Sequence, residues 1–486
     1  MKDQQAPKVT FLHAILPVGF LSLLIAYGLI IRPQFLNQDP FPLEMVFLFA
    51  SVFVISQLLI MGFKWNDILA AIVKKQSRGL PAILILFAIG IIIGSWIVCG
   101  TIPMLIYYGI KMINPDYLYV LSFLIPIIFS TLTGTSWGSV GTIGVVLIGI
   151  AQAVNADLAI TAGAIVGGAY FGDKISPLSD TTNLAAMAAE TDLYDHIRSM
   201  MNTTLPAALI AIVIYFVMGL IKPAGDGSID NEHIQTTLST IDEMFNFNVF
   251  LFIPPLIVLY GSIKKKGTLP TLLASSMVAA VLALIFQPYS LDNAVNTLNK
   301  GFDTSMATWM TDVPENVVTL FTRGGLYELS FAIMLAFVIF TFVGAIDMID
   351  AMPRIVNRVF AFAKTRSSVI LSSLVATAFT NVTTSNQTAT SFIIGDAFGR
   401  KYDQYKIPRK VLSRSIEDYG TMIENIVPWT TTGVFMAATL GVAVADYWHW
   451  QLMTLANFVI APLLAITGKG CFYNEVSKKE TDGEER

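Results

Sequence analysis

Charge is scarce in this 486-residue chain: Asp, Glu, Lys and Arg make up 13% of it, against roughly 25% in soluble globular proteins. Cysteine is rarer still. Cys99 and Cys471 stand far apart with no companions, which excludes a disulfide scaffold. His13, His196, His233 and His449 have no ligand spacing, so a structural or catalytic metal centre of the imidazole type has no support. No Gly-Lys-Ser/Thr ending follows the glycine-rich stretches, which excludes a phosphate-binding loop. Neither a nucleophile elbow nor a Ser/His/Asp arrangement is present, so an enzyme is not expected.

What fills the chain is apolar: 54% of residues are hydrophobic and the mean hydropathy is +0.65. Runs of roughly 20 apolar residues, long enough for a hydrocarbon core of ~30 Å, recur from Phe11 to about Thr467. The first run is too long and too weakly basic in its flank for a signal peptide, and reads as a retained helix. The net charge of -4 says nothing about partners, because the charges are segregated by loop.

The most informative segment is Gly168-Ala-Tyr-Phe-Gly-Asp-Lys-Ile-Ser-Pro-Leu-Ser-Asp-Thr-Thr-Asn183. It places Asp173, Lys174 and Asp180 between two apolar runs, where charge is costly and therefore functional by default. Asp173 and Asp180 are seven residues apart and would share a helical face, but Pro177 breaks the helix between them, so they flank a gap.

The chain repeats itself at an offset near 250. Arg78-Gly79 corresponds to Arg323-Gly324 and Pro103 to Pro353. Thr133-Gly-Thr-Ser-Trp-Gly138 corresponds to Val382-Thr-Thr-Ser-Asn-Gln387, and Ile175-Ser-Pro-Leu-Ser-Asp-Thr181 to Ile426-Val-Pro-Trp-Thr-Thr-Thr432. The expected division is an N-terminal cytoplasmic segment over residues 1–10, a first membrane repeat over 11–222, an exposed external linker loop over 223–246, a second repeat over 247–468, and a cytoplasmic tail over 469–486. Each repeat shows two spanning runs, a short amphipathic piece (Trp65 to Gln76, Leu291 to Lys300), a third run, two long interrupted runs and a last run.

The first interrupted run of each repeat, Tyr117 to Val154 or Ser367 to Phe398, either crosses the membrane or folds back as a re-entrant hairpin. Folding both back puts about 24 Lys and Arg on the cytoplasmic side against five outside (Arg32, Lys111, Lys222, Lys300, Arg323), whereas crossing gives roughly 19 to 10. The positive-inside rule selects hairpins. The fold expected is all-α: a polytopic membrane protein of two inverted repeats with about five full crossings each, each with a re-entrant hairpin and a broken helix. Such repeats place a transport site at mid-membrane.

Non-helical backbone there offers free carbonyls, and Thr133, Thr135, Ser136, Thr383, Thr384 and Ser385 offer hydroxyls, a donor set suited to a small hard cation such as sodium. Protons and sodium compete for a carboxylate in such a place, and competition suffices for antiport. The candidates for the exchanging acid are Asp173 and Asp180, then Glu424, which matches Asp173 in the second repeat. Thr431 stands where Asp180 would be, so the halves differ in charge. Thr181 and Asn425 join the candidate sodium or substrate ligands, Lys174 is a charge partner, and Asp180, Ser136 and Thr135 form the candidate metal-ion set. Simpler readings stand beside these. Asp180 is placed to cap the half-helix that follows it, Asp173 and Lys174 to pair with each other, and Glu417 and Asp418 to be solvated charge near the cytoplasmic mouth. Gly134, Gly138, Gly141 and Gly144 are helix-packing steps, and Trp137 and Trp429 are packing or gating rings.

The run Thr-Gly-Thr-Ser-Trp-Gly from Thr133, with Gly-Asp-Lys-Ile-Ser-Pro-Leu-Ser-Asp-Thr-Thr from Gly172, resembles the NhaC-type sodium/proton antiporters of the ion transporter superfamily over roughly Leu12 to Ile466. The resemblance implies a multi-pass carrier of the bacterial inner membrane, related in architecture to sodium-coupled dicarboxylate carriers; the lysine and arginine count, taken with a cytoplasmic N-terminus, puts both termini inside. In those relatives the hairpin tip and the facing helix break bind sodium. That maps onto Thr135, Ser136 and Asp180 in one half, and onto Thr384, Ser385, Asn386 and Thr431 in the other. No cofactor is implied, since sodium ion and proton are the transported species. The partners expected are small inorganic cations and membrane lipid, with a homodimer allowed and nucleic acid excluded. The same family holds carriers that exchange malate with protons for lactate with sodium. For that alternative, small carboxylates would be met by Asn386, Gln387, Asn425, Lys174 or Arg414, the last placed near the cytoplasmic edge. Asp180→Asn is expected to abolish exchange while leaving membrane insertion intact.

Overall fold

The computed structural model describes residues 8–223 and 231–475. The expected terminal segments 1–10 and 469–486 therefore lie partly outside the described residues, as do Lys2, Lys478, Lys479 and Arg486. Within them the protein is a bundle of helices, nine of which are long and apolar enough to cross a membrane, or up to 11 if two bent pairs each count as one span.

Two expectations are corrected. The amphipathic piece Trp65 to Gln76 is not separate: Trp65–Val98 is one helix of 34 residues, about 51 Å long, so its first turns extend a span of ~30 Å. Gln76 Nε2 ties these turns to Phe337 O at 2.8 Å. The second expected piece, Leu291–Lys300, is a separate helix packed on Trp65–Val98. In the joining segment, where a loop is expected, Asn231–Met244 is a helix, and its Leu238, Ile241 and Met244 are buried; the spacing of these three at i, i+3 and i+6 is the helical stripe that the polar composition obscures.

Each interrupted run folds back on itself. In the first, Leu118–Thr133 and Ser136–Ala153 meet at Gly134. The two ends return to one side: the Asp157 amide, just past the second arm, donates to the Tyr119 hydroxyl at 3.1 Å, at the start of the first. Helix Leu158–Ile175 then runs alongside the first arm. Gly168 allows this approach, since a Cβ there would strike Phe123 O, and the hydroxyls of Ser130 and Ser176 donate across to Ala169 O and Thr131 O. In the second, Arg366–Thr384 and Gln387–Gln404 meet at Ser385. The Ser373 and Tyr402 hydroxyls lie 2.8 Å apart, and Arg366 Nε donates to Tyr405 O at 2.9 Å, which closes its base.

Helix Leu193–Ile221, 29 residues or about 43 Å long, orients the two hairpins. Lys222, at its C-terminal end, pairs with Asp157 at 2.7 Å, beside the base of the first hairpin. At its N-terminal end Asp195 lies 3.7 Å from Lys410, and Glu190 lies 3.5 Å from Arg409, beside the base of the second. The two hairpin bases therefore sit at opposite ends of one helix.

Candidate ion-binding site

Both hairpin tips press against a broken helix. Pro177 lacks an amide hydrogen and cannot continue the helix, so Leu158–Ile175 stops and Asp180–Ala188 starts afresh. Pro428 does the same between Met422–Glu424 and Thr431–Leu440. Gly134 turns the first tip with φ +69°, packed so closely on Leu178 and Ser179 that a Cβ would lie 2.7 Å from Leu178 Cβ. At the second tip Ser385 takes the same left-handed turn with φ +49°, and its Oγ accepts from the Thr431 amide at 2.7 Å.

Beside these contacts lies a cavity of about 520 Å3, with Arg78, Lys265 and Lys266 on its wall. Thr133, Thr135, Ser136, Asp173, Asp180, Thr181, Ser385, Asn386, Glu424 and Thr431 all line it. Two carboxylates are built into its floor. Asp173, 3% exposed, accepts from Ser136 Oγ at 2.7 Å and from Ser179 Oγ at 2.6 Å. Glu424, 7% exposed, accepts from Asn381 Nδ2 at 2.9 Å and from Thr432 Oγ1 at 2.8 Å. Hydrogen bonds to an ionised acceptor are roughly twice as strong as neutral ones, so two donors each hold the Asp173 and Glu424 carboxylates in place. Each break also feeds a hydroxyl back to the backbone before it: Thr182 Oγ1 to Asp173 O and Thr430 Oγ1 to Glu424 O, at 2.8 and 2.5 Å.

The other site residues divide. Asp180 is on the cavity wall but exposed, and its Oδ1 accepts from the Thr181 amide at 3.1 Å. The helix cap expected of it falls instead to Ser179, whose hydroxyl accepts from the Thr182 amide. Of the set Asp180, Ser136 and Thr135, the Ser136 hydroxyl is turned to Asp173 and the Thr135 hydroxyl caps its own helix through the Gly138 amide. Thr384 is 1% exposed with its hydroxyl 3.3 Å from that of Thr390, and Asn386 caps the returning arm through the Ala389 amide. Asn425 is buried away from the cavity, accepting from Thr454 at 3.3 Å. Among the described residues, no three His, Cys, Asp or Glu side chains gather as a metal-holding group.

Lys174 does not pair with Asp173. Its Nζ lies 2.8 Å from Asp418 Oδ1 in the other half, both side chains fully buried. Glu417 and Asp418 are 0% exposed, not solvated charge at a mouth, and Arg414 is 2% exposed rather than at an edge. Helix Leu193–Ile221, the arms of the second hairpin and the last helix enclose them, with Thr203 and Asn457 bonded to Asp418. Trp137 is a packing ring, stacked on Phe435 at 4.2 Å, and Trp429 Nε1 donates to Val382 O at 3.0 Å. The sequence reading missed Ser179, Thr432 and Asn381 as carboxylate partners. Ser179 was legible as the residue before a helix restart; Asn381 lies in the last turn of helix Arg366–Thr384, one residue before the tip motif, and its polar side chain at that place was the signal.

The profile described as the Na+/H+ antiporter family matches residues 168–469. The chain is 38% identical over 95% of its length, and 97% of the relative's, to an uncharacterized Na+/H+ antiporter of Haemophilus influenzae. It is 35% identical to the Na+/H+ antiporter NhaC of Bacillus subtilis over 87% of this chain and 92% of that one. A malate-2H+/Na+-lactate antiporter of the same bacterium is 31% identical over 98% of both chains.

Proposed function

The chain belongs to the Na+/H+ antiporter family, and from that premise we propose that it exchanges sodium for protons across a bacterial inner membrane by alternating access. The observation that carries the reading is the pair of buried carboxylates, Asp173 and Glu424, each held by two side-chain donors at the floor of one cavity between hairpin tips and helix breaks. Burial favours Asp173, with Glu424 second, as the acid at which a proton and a sodium ion replace each other; Asp180, exposed on the wall, is the residue a hydrated ion meets on its way in.

Exchange follows from competition. A carboxylate out of water and without a cation favours its protonated form, and sodium favours the ionised one. Ser136, Ser179 and the freed carbonyls of the break supply oxygens around the ion. Hairpins based at opposite ends of helix Leu193–Ile221 support two inverted repeats, the arrangement that lets one site face either side in turn. Arg78, Lys265 and Lys266 on the cavity wall support a cytoplasmic opening, with both termini on that side.

A second reading, exchange of a small carboxylate with sodium and protons, draws on the same three cations and on Asn386 and Gln387 in the wall. It is weakened by Lys174, which is paired with Asp418, and by Asn425, which does not line the cavity. Purified protein in sealed vesicles loaded with a pH dye, pulsed in turn with sodium, potassium, malate and lactate, decides between them. A sodium-only response supports cation exchange; a response requiring malate or lactate overturns it.

A further inference from the structure

A second group of charges lies where helix Leu158–Ile175 of the first half meets the π turn Glu417–Thr421 of the second. Lys174 Nζ and Thr203 Oγ1 both donate to Asp418 Oδ1, at 2.8 and 3.0 Å. Arg414 Nε stands 3.9 Å from Asp418 Oδ2, and Arg414 Nη1 donates to Gly470 O at 2.7 Å. Both cations are thus committed to Asp418 or to backbone. Glu417, the preceding residue, is also 0% exposed, yet no protein donor stands in hydrogen-bonding geometry to either of its oxygens. A buried carboxylate whose oxygens find no hydrogen-bond donor is costly to keep ionised.

The groups around it set what it can do. The charges bearing on it are Lys174 and Asp173 of the first half and Asp418 beside it, and the Thr421 hydroxyl is close by. Asp180 and Glu424 are the acids of the neighbouring half-helix and of the helix end that continues the turn, and His196, on the helix that carries Thr203, bonds Ser413 at 2.8 Å. Thr421 lines the cavity. The Thr421 hydroxyl is buried and makes no hydrogen bond of its own, so it is uncommitted and, by turning, can accept the proton of Glu417 and pass on its own.

We propose that Glu417 is a second proton site of the carrier, loaded and unloaded from the cavity through Thr421. The proposal rests on the sodium/proton reading above. When sodium enters beside Asp173, its charge favours ionisation of Glu417 as well. The O–H bond of Glu417 breaks, Thr421 takes that proton while its own passes to cavity water, and a second proton leaves for the one ion gained. Exchange then moves net charge.

The test is the full-length protein in sealed vesicles, with radioactive sodium uptake and dye-reported proton flux measured together. The E417Q variant is expected to retain sodium-driven exchange with one proton fewer per sodium, E417D to keep the wild-type ratio, and T421V to keep the ratio at a slower rate. An unchanged ratio in E417Q overturns the proposal. A wild type without sodium-driven proton flux overturns the exchange reading itself, which is a different failure. Should E417Q not transport, proton release on sodium addition to purified, folded protein is read instead, with infrared difference spectra. E417Q must release fewer protons and lack one protonated-carboxyl band; a wild-type count and band overturn the proposal.

Discussion

The two half-sites solve one geometric problem with different chemistry. In the first, a glycine turns the tip, serines hold Asp173, and a further acid, Asp180, follows the break. In the second, a serine turns the tip, an amide and a threonine hold Glu424, and Thr431 replaces the further acid, giving its amide to Ser385. Both halves line the same cavity, but the first brings two acids to it and the second one, with its tip bonded to the Thr431 amide, so similar architecture does not mean two equal sites.

The sharpest way to break that comparison is to neutralise each carboxyl in turn. Asp173→Asn is expected to reduce sodium-driven proton flux to background in vesicles, whereas Glu424→Gln keeps exchange with apparent sodium affinity weakened about tenfold, or ~1.4 kcal/mol. Equal losses would make the halves equivalent. Next comes the ion pair joining the halves. Asp418→Asn strands the buried Lys174 charge, a loss of roughly 3–5 kcal/mol visible as a lower melting temperature in detergent, and the double variant K174M with D418N should recover most of it.

The tips differ more modestly. Gly134→Ala must hold a left-handed backbone against Leu178 and Ser179, costing about 1–3 kcal/mol with impaired exchange. Ser385→Gly gives up the acceptor for the Thr431 amide but relieves the same backbone turn, a net change below about 1 kcal/mol; thermal melts of both variants compare them.

The smallest effect is at the base of the first hairpin. Asp157 sits at a helix start outside the spanning runs. Burial works to raise its pKa, but the Lys222 hydrogen bond and the Ile160 and Ala159 amides outweigh it and hold the carboxyl below its ordinary value. A lowered folded pKa means the contribution is present at neutral pH and lost as pH falls through that lowered value. Lys222→Met should remove less than about 1 kcal/mol and flatten the acid limb of the stability profile.

Hairpins and breaks were legible because each follows from local rules: a polar interruption in a run too long for one crossing, a proline with no amide hydrogen, and lysines and arginines counted by side. Asp173 and Glu424 were legible as acids at the same place in each repeat. The partner of Lys174 was not, since Asp418 lies 244 residues away and only the crossing of the broken helices brings it near. Proximity in sequence suggested Asp173 instead. The helix Asn231–Met244 was hidden by its polar composition, with an apolar stripe too narrow to outweigh the polar majority.

The bond between Lys174 and Asp418 has a mechanical consequence. Parting it inside the protein would strand two charges in a medium that solvates neither, a barrier no routine turnover should climb. Under the alternating access proposed above, the interrupted segments of both halves would then travel as a single rigid carriage, and the frame around it would be the part that yields.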